Sequence, residues 1–177
     1  SGGGTTAEVV CPDGSTSPID VMSVRATEVT VGANGPEAMA AELPRRTAYT
    51  WAAELSVDEA VEAGASRVAF SEPVLLYLED IIGSPVGMFV PLGSYDRKRA
   101  VWEALPDGRT IEVVNIDGGV AALDLDGDGA PEDEATLTDA GITAAELAEL
   151  ATLYEPGQVV WRLEVPHFSF HDANVAG

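Results

Sequence analysis

The chain has 177 residues, 46% of them apolar, which suits one hydrophobic core of ordinary size. Thirty Asp plus Glu stand against nine Lys plus Arg, a formal charge of −21 spread along the whole length, so nucleic acid would be repelled and is excluded as a partner. No apolar run approaches the roughly 18 residues of a membrane span, and a lone cysteine, Cys11, excludes an intrachain disulfide or a thiolate metal cluster.

Residues 1–20 open with SGGGTT and continue into the turn-rich CPDGSTSP, the composition of a flexible lead-in. Cys11 lies in that stretch, where an incidental thiol, an intermolecular bridge and a reactive thiol are the available readings. From residue 21 onward the chain reads as a single domain. SVRATEVTVG (23–32) alternates apolar and polar residues with β-branched types, and RTAYTWAAEL (46–55) repeats the signal, so both are expected as half-buried strands. SVDE (56–59) carries a capping box between Ser56 and Glu59, and Gly64 closes a short helix.

RVAF and PVLLYLED follow as strand material, then GMFVPLG and SYDRKRAVWEAL, and PDG (106–108) is expected to turn the last of these back into RTIEVVNI as a hairpin. DGGVAALDLDGDGAPEDE is a long polar excursion. A second helix is expected in ITAAELAELATLY, where Thr143 and Glu146 form a capping box and Leu147, Leu150, Ala151 and Tyr154 share one face. Pro156-Gly157 ends it, and QVVWRLEV and HFSFHDANV finish the chain as strands. The expected fold is mainly β, an antiparallel β-sandwich with one or two short inserted helices and a calcium-type acidic loop.

DLDGDGAPEDE sets Asp124, Asp126 and Asp128 at alternate positions, with Gly127 and Gly129 allowing the backbone to curl until the carboxylates converge. Hard cations favour such an oxygen cage, and calcium is the expected ion. In the usual loop of about twelve residues a glycine holds the sixth position, as Gly129 does here, and a bidentate Glu closes the twelfth, where this chain has Ala135. Closure therefore falls to Glu132, Asp133 or Glu134, with the Ala130 carbonyl as a further ligand, or else the segment is a solvated acidic turn. Such a site staples a loop and performs no chemistry.

HFSFHD (167–172) contains both histidines of the chain. On a straight strand His167, Ser169 and His171 share one face, with Phe168 and Phe170 on the other, and the two histidines stand roughly 13 Å apart, too far to bridge a metal. An edge strand would show this pattern. A second reading is self-cleavage, in which Ser169 attacks the Phe168 carbonyl carbon and His167 is the base, with His171 on the same face also able to influence the hydroxyl, at the cost of strain that the fold must supply. No GxSxG elbow and no third triad member point to hydrolysis of other molecules, so any enzymatic activity is at most a single turnover on the chain itself.

The order SVRATEVTVG, PVGMFVPLGSYDRKRAVW, DLDGDG, LYEPGQVVWR and VPHFSFHDAN resembles an accessory module of bacterial Rhs (YD-repeat) surface and toxin-related proteins, most specifically in PVGMFVPLGSYDRKRAVW. The resemblance spans most of residues 20–175. HFS near the end of a sandwich is similar to the cleavage motif of ZU-five type domains, which implies His167 as base, Phe168 as carbonyl donor and Ser169 as nucleophile. These resemblances imply a secreted or cell-surface location and neighbouring domains of the same large chain or another protein as partners; the hydropathy leads to an expectation of no membrane insertion, and the isolated domain is expected to be a monomer. An uncut structural or docking module and a self-cleaving one share this architecture and differ in one covalent bond.

Overall fold

A computed structural model of the chain describes residues 5–29 and 47–176, without the side chains of 47–50, Phe170 and 174–176. It is mainly β, with two antiparallel sheets packed together as a sandwich and three short helices. The strands are β1 (Ala7–Val10), β2 (Thr16–Ile19), β3 (Val24–Glu28), β4 (Thr47–Val57), β5 (Arg67–Glu79), β6 (Phe89–Val90), β7 (Leu92–Asp96), β8 (Val101–Ala104), β9 (Gly108–Asp117), β10 (Val120–Asp124), β11 (Val159–Phe168) and β12 (Phe170–Ala176). The helices are α1 (Asp58–Glu62), α2 (Glu134–Asp139) and α3 (Ala144–Leu153). One sheet runs β10-β9-β11-β5-β1-β2 with β6 on β9, and the other runs β3-β4-β12-β7-β8. Among the described residues no helix is long and apolar enough to cross a membrane.

The chain divides into two compact units, residues 1–75, 91–107 and 164–177 in the first and residues 76–90 and 108–163 in the second. In the first, the segment expected to be a flexible lead-in is instead a hairpin. β1 pairs with both β2 and β5, and Ala7 and Val9 are buried. The turn residues that read as linker are the hairpin's own turn: Asp13 accepts from the Ser15 N–H and hydroxyl at 2.9 and 2.6 Å, and Gly14 takes a φ of +88°.

Strand β4 forms as expected and buries Ala53, Leu55 and Val57 along one face, as a period of two requires. The predicted strand over 23–32 is seen as β3 up to Glu28, but it is exposed along its whole length instead of half-buried, and its residues beyond 29 lie outside the described part. The Ser56–Glu59 capping box does not form. Ser56 stays in the ladder opposite Arg25, and the Glu59 carboxylate accepts instead from the Ser23 N–H and hydroxyl at 2.9 and 2.7 Å. A second correction concerns SYDRKRAVWEAL, which is two strands: β7 and β8 pair antiparallel, and Asp96 makes the turn by accepting from the N–H groups of Lys98 and Arg99 at 2.8 and 3.1 Å. PDG (106–108) therefore closes no hairpin, because β8 lies in one sheet and β9 in the other.

In the second unit the polar excursion contains a strand. β10 returns along β9 through Gly118-Gly119, both at positive φ (+58° and +82°), as a two-residue primed turn demands, and buries Ala121 and Leu123. A helix absent from the sequence reading, α2, follows, and Leu137 of α2 and Leu150 of α3 pack on Ile111, Val113 and Val160 of the sheet. The Thr143 hydroxyl accepts from the Glu146 N–H as expected of a cap. Yet the Glu146 side chain does not reach back. It is buried, and it accepts from Arg162 Nε at 2.6 Å, from an Arg162 terminal nitrogen at 3.1 Å and from the Tyr77 hydroxyl. Burial, then the neighbouring carboxylate, pushes the Tyr77 hydroxyl well above its ordinary range, so it stays a donor.

The Glu146–Arg162 pair pins α3 to β11, and removing one partner strands a buried charge. Arg162→Ala is expected to lose about 3–5 kcal/mol of stability, whereas Tyr77→Phe loses about 1 kcal/mol, as read from urea denaturation of the two variants beside the parent chain.

Candidate functional site

β11 ends at Phe168 and β12 begins at Phe170, so the expected single strand HFSFHDANV is broken at Ser169, a bend where the chain passes from one sheet to the other. The bend changes the relation of the two histidines. Their ring centroids lie 5.4 Å apart with a 41° tilt, well inside the roughly 13 Å a straight strand imposes. All of these residues belong to the first unit.

Ser169 is held from three directions. Its Oγ lies 3.2 Å from His167 Nδ1, and its carbonyl accepts from the Leu55 N–H at 2.8 Å and from His171 Nδ1 at 3.0 Å. Phe168, the residue before it, is buried and meets Phe70 edge-to-face at 4.8 Å. Ser169 lines a cavity of about 610 Å³ together with, among others, Leu55, Arg67, Glu103, His167 and Phe168. Leu55, Arg67 and Glu103 were not legible as site residues, since each sits on a strand distant in sequence with nothing local to mark it.

Burial above all, then the Arg67 guanidinium, lowers the His167 pKa below its ordinary value, while Glu103 works in the other direction. A neutral His167 can accept from the Ser169 hydroxyl. His171 has no solvent exposure, and burial, reinforced by His167, pushes its pKa down to about 4 against the raising effect of the Ser169 carbonyl. The geometry thus brings His167, Phe168, Ser169 and His171 together, with a hydroxyl, a base and the adjoining peptide in one place.

The acidic loop belongs to the second unit. Asp124 closes β10 and is buried; one oxygen accepts from the N–H groups of Asp126 and Gly127 at 2.9 and 2.7 Å, and the other from Gly129 at 2.7 Å. Burial raises its pKa, but the backbone donors outweigh that and hold the carboxyl below its ordinary value, hence ionised. Gly127 sits at a φ of +86° with the Val86 carbonyl 3.0 Å from where a Cβ would stand, so any side chain here is strained and crowds that carbonyl. One carboxylate oxygen from each of Asp124, Asp126 and Asp128 lies within 4.8 Å of the others.

Glu132, Asp133 and Glu134, also expected as ligands, do not join this group of three carboxylates. Glu132 accepts from the Leu125 N–H at 3.3 Å, Asp133 caps α2 by accepting from the Thr136 N–H at 2.8 Å, Glu134 lies exposed in that helix's first turn, and Ala130 donates its N–H to Asp128 at 2.7 Å. Comparison of the chain with family models, curated proteins and solved structures returned no match.

Because the folded pKa of His171 is depressed while an unfolded one titrates near 6.5, the unfolded chain binds more protons below that pH. Stability from this group is complete above pH 6.5, is lost as pH falls, and stops changing below about 4; at 1.36 kcal/mol per pKa unit the loss is about 3 kcal/mol. Melting between pH 7 and pH 4 should accordingly show a shallower decline in His171→Phe than in the parent chain.

Proposed function

We propose that this chain is a β-sandwich module of a secreted or surface-borne bacterial protein of Rhs type, and that it cuts its own backbone between Phe168 and Ser169. The observation that carries this reading is the 3.2 Å approach of Ser169 Oγ to His167 Nδ1 at the residue where the chain changes sheets. His167 takes the hydroxyl proton as Oγ adds to the Phe168 carbonyl carbon. The C–N bond then breaks, the proton passes to the Ser169 nitrogen, and an ester joins Phe168 to Ser169 Oγ. One water hydrolyses that ester, leaving a Phe168 carboxylate and an amino-terminal Ser169 with its hydroxyl restored.

The released end would not fall away. β12 is a central strand, paired with β4 on one side and β7 on the other, and His171, Asp172 and Ala173 are buried. The product is a two-piece fold held by its ladder, a joint that separates only when the sheet opens. Neighbouring domains of the longer chain are the partners such a joint serves.

The convergence of Asp124, Asp126 and Asp128 supports a second role, calcium as a staple of the loop between β10 and α2. Like charges brought this close repel one another unless a cation or water intervenes. Asp124, Asp126 and Asp128 would hold the ion, which supplies charge neutralisation and no chemistry. An uncut structural module stapled in this way is the alternative to cleavage.

Intact-mass measurement over a long incubation should reveal chain ending at Phe168 under denaturing conditions, while native chromatography keeps both pieces together. Ser169→Ala should abolish the cut and His167→Ala should slow it by about 10²-fold or more. The native rate should fall at acidic pH with a midpoint below 6.5, the sense of the His167 shift. A full-length mass that never changes leaves only the structural reading. Calcium at 100 times its Kd should stabilise the fold by about 2.7 kcal/mol, seen as a raised Tm that Asp126→Asn with Asp128→Asn removes.

A further inference from the structure

His171 has a role distinct from that of the base. Its Nδ1 faces the Ser169 carbonyl oxygen, which can only accept, so the ring proton must sit on Nδ1. Its other ring nitrogen, Nε2, is buried with no hydrogen-bond partner among the described residues. A second proton there would place an unsolvated charge in the interior, and the ring is therefore a neutral donor of one fixed tautomer.

That donor acts where the chain has lost its ladder. Ser169 belongs to neither strand, so its carbonyl would be free to rotate were it not clamped between Leu55 N–H and His171 Nδ1–H at 2.8 and 3.0 Å. Clamping the carbonyl fixes the orientation of the Ser169 Cα, from which both the hydroxyl and the peptide nitrogen of the 168–169 bond project. The His171 ring also packs at 5.4 Å from that of His167, restricting the rotation that would carry His167 Nδ1 away from the hydroxyl.

We infer that His171 is a positioning residue for cleavage at Phe168–Ser169, holding the Ser169 carbonyl through its Nδ1–H so that the hydroxyl stays aligned between His167 and the carbonyl it attacks. The inference rests on the self-cleavage reading and adds to it a residue that touches neither the reacting carbonyl nor the proton in flight. It excludes His171 as a second base, because its one free nitrogen faces protein interior and its donor nitrogen is already committed.

Substitutions separate the donor from the ring. Asn at 171 carries an N–H at the position of Nδ1, Gln carries one at the position of Nε2, and Phe keeps a ring with no donor. Cleavage of the full chain is followed by intact mass across pH, with cooperative melting confirming that each variant folds. His171→Asn is expected within about threefold of the native rate, with its acid limb retained, because His167 still titrates; His171→Phe and His171→Gln are expected slower by about tenfold or more, the worth of one lost hydrogen bond. His171→Gln keeps the comparison decisive if the Phe variant does not fold. Phe or Gln cutting at the native rate, Phe exceeding Asn, or an Asn variant whose rate no longer depends on pH would each overturn the inference while the native chain still cuts. A native chain that never cuts overturns the self-cleavage reading itself, and this inference with it.

Discussion

A strand that leaves one sheet for another must break its hydrogen-bond ladder somewhere, and the groups at the break need partners because an unpaired buried carbonyl is expensive. Ser169 is that break. Its carbonyl is satisfied by the Leu55 backbone and by a histidine side chain, and the hydroxyl is left facing the other histidine. Everything distinctive about the site follows from this single non-pairing residue: the rings of His167 and His171 approach only because the chain turns there, and the cavity beside the serine opens where the ladder stops.

The same rule organises the second unit. Glu146 and Arg162 are buried charges, each tolerated because the other pairs with it, and the Tyr77 hydroxyl donates a further hydrogen bond to Glu146. Asp124 is buried as well, and three backbone N–H groups of its own loop keep it ionised. One oxygen from each of two further carboxylates, Asp126 and Asp128, is drawn to within 4.8 Å of it by the same curl of the loop. In a chain of net charge −21, that local concentration of negative charge sits on top of a general excess.

Much of the local structure was legible in short-range pattern. Strand β4 was visible in the alternation of RTAYTWAAEL, and α3 in its Thr143 cap and the Leu147, Leu150, Ala151, Tyr154 stripe, because the forces that specify them act within one element. The convergence of Asp124, Asp126 and Asp128 was legible too, since Gly127 and Gly129 determine the curl of the loop locally. Turn chemistry, by contrast, was seen but misassigned. CPDGSTSP is a turn, yet whether it belongs to a linker or a hairpin depends on β5 being available to pair with β1, as Val10 does with the sequence-distant Arg67.

By itself the sequence determined that the chain would be β-rich and would contain a capped helix, a glycine-curled acidic loop and a serine flanked by two histidines. Only the tertiary structure decided that Asp96 rather than Pro106-Asp107-Gly108 makes a hairpin, that Glu59 and Glu146 serve distant partners instead of their own helix caps, and that HFSFHD is not one strand. The reason is the same in each case. A side chain's local partner is chosen by spacing, but a buried donor or charge from elsewhere in the fold competes for it on better terms, and which strand crosses to which sheet is settled by the packing of whole layers, to which a six-residue window is blind.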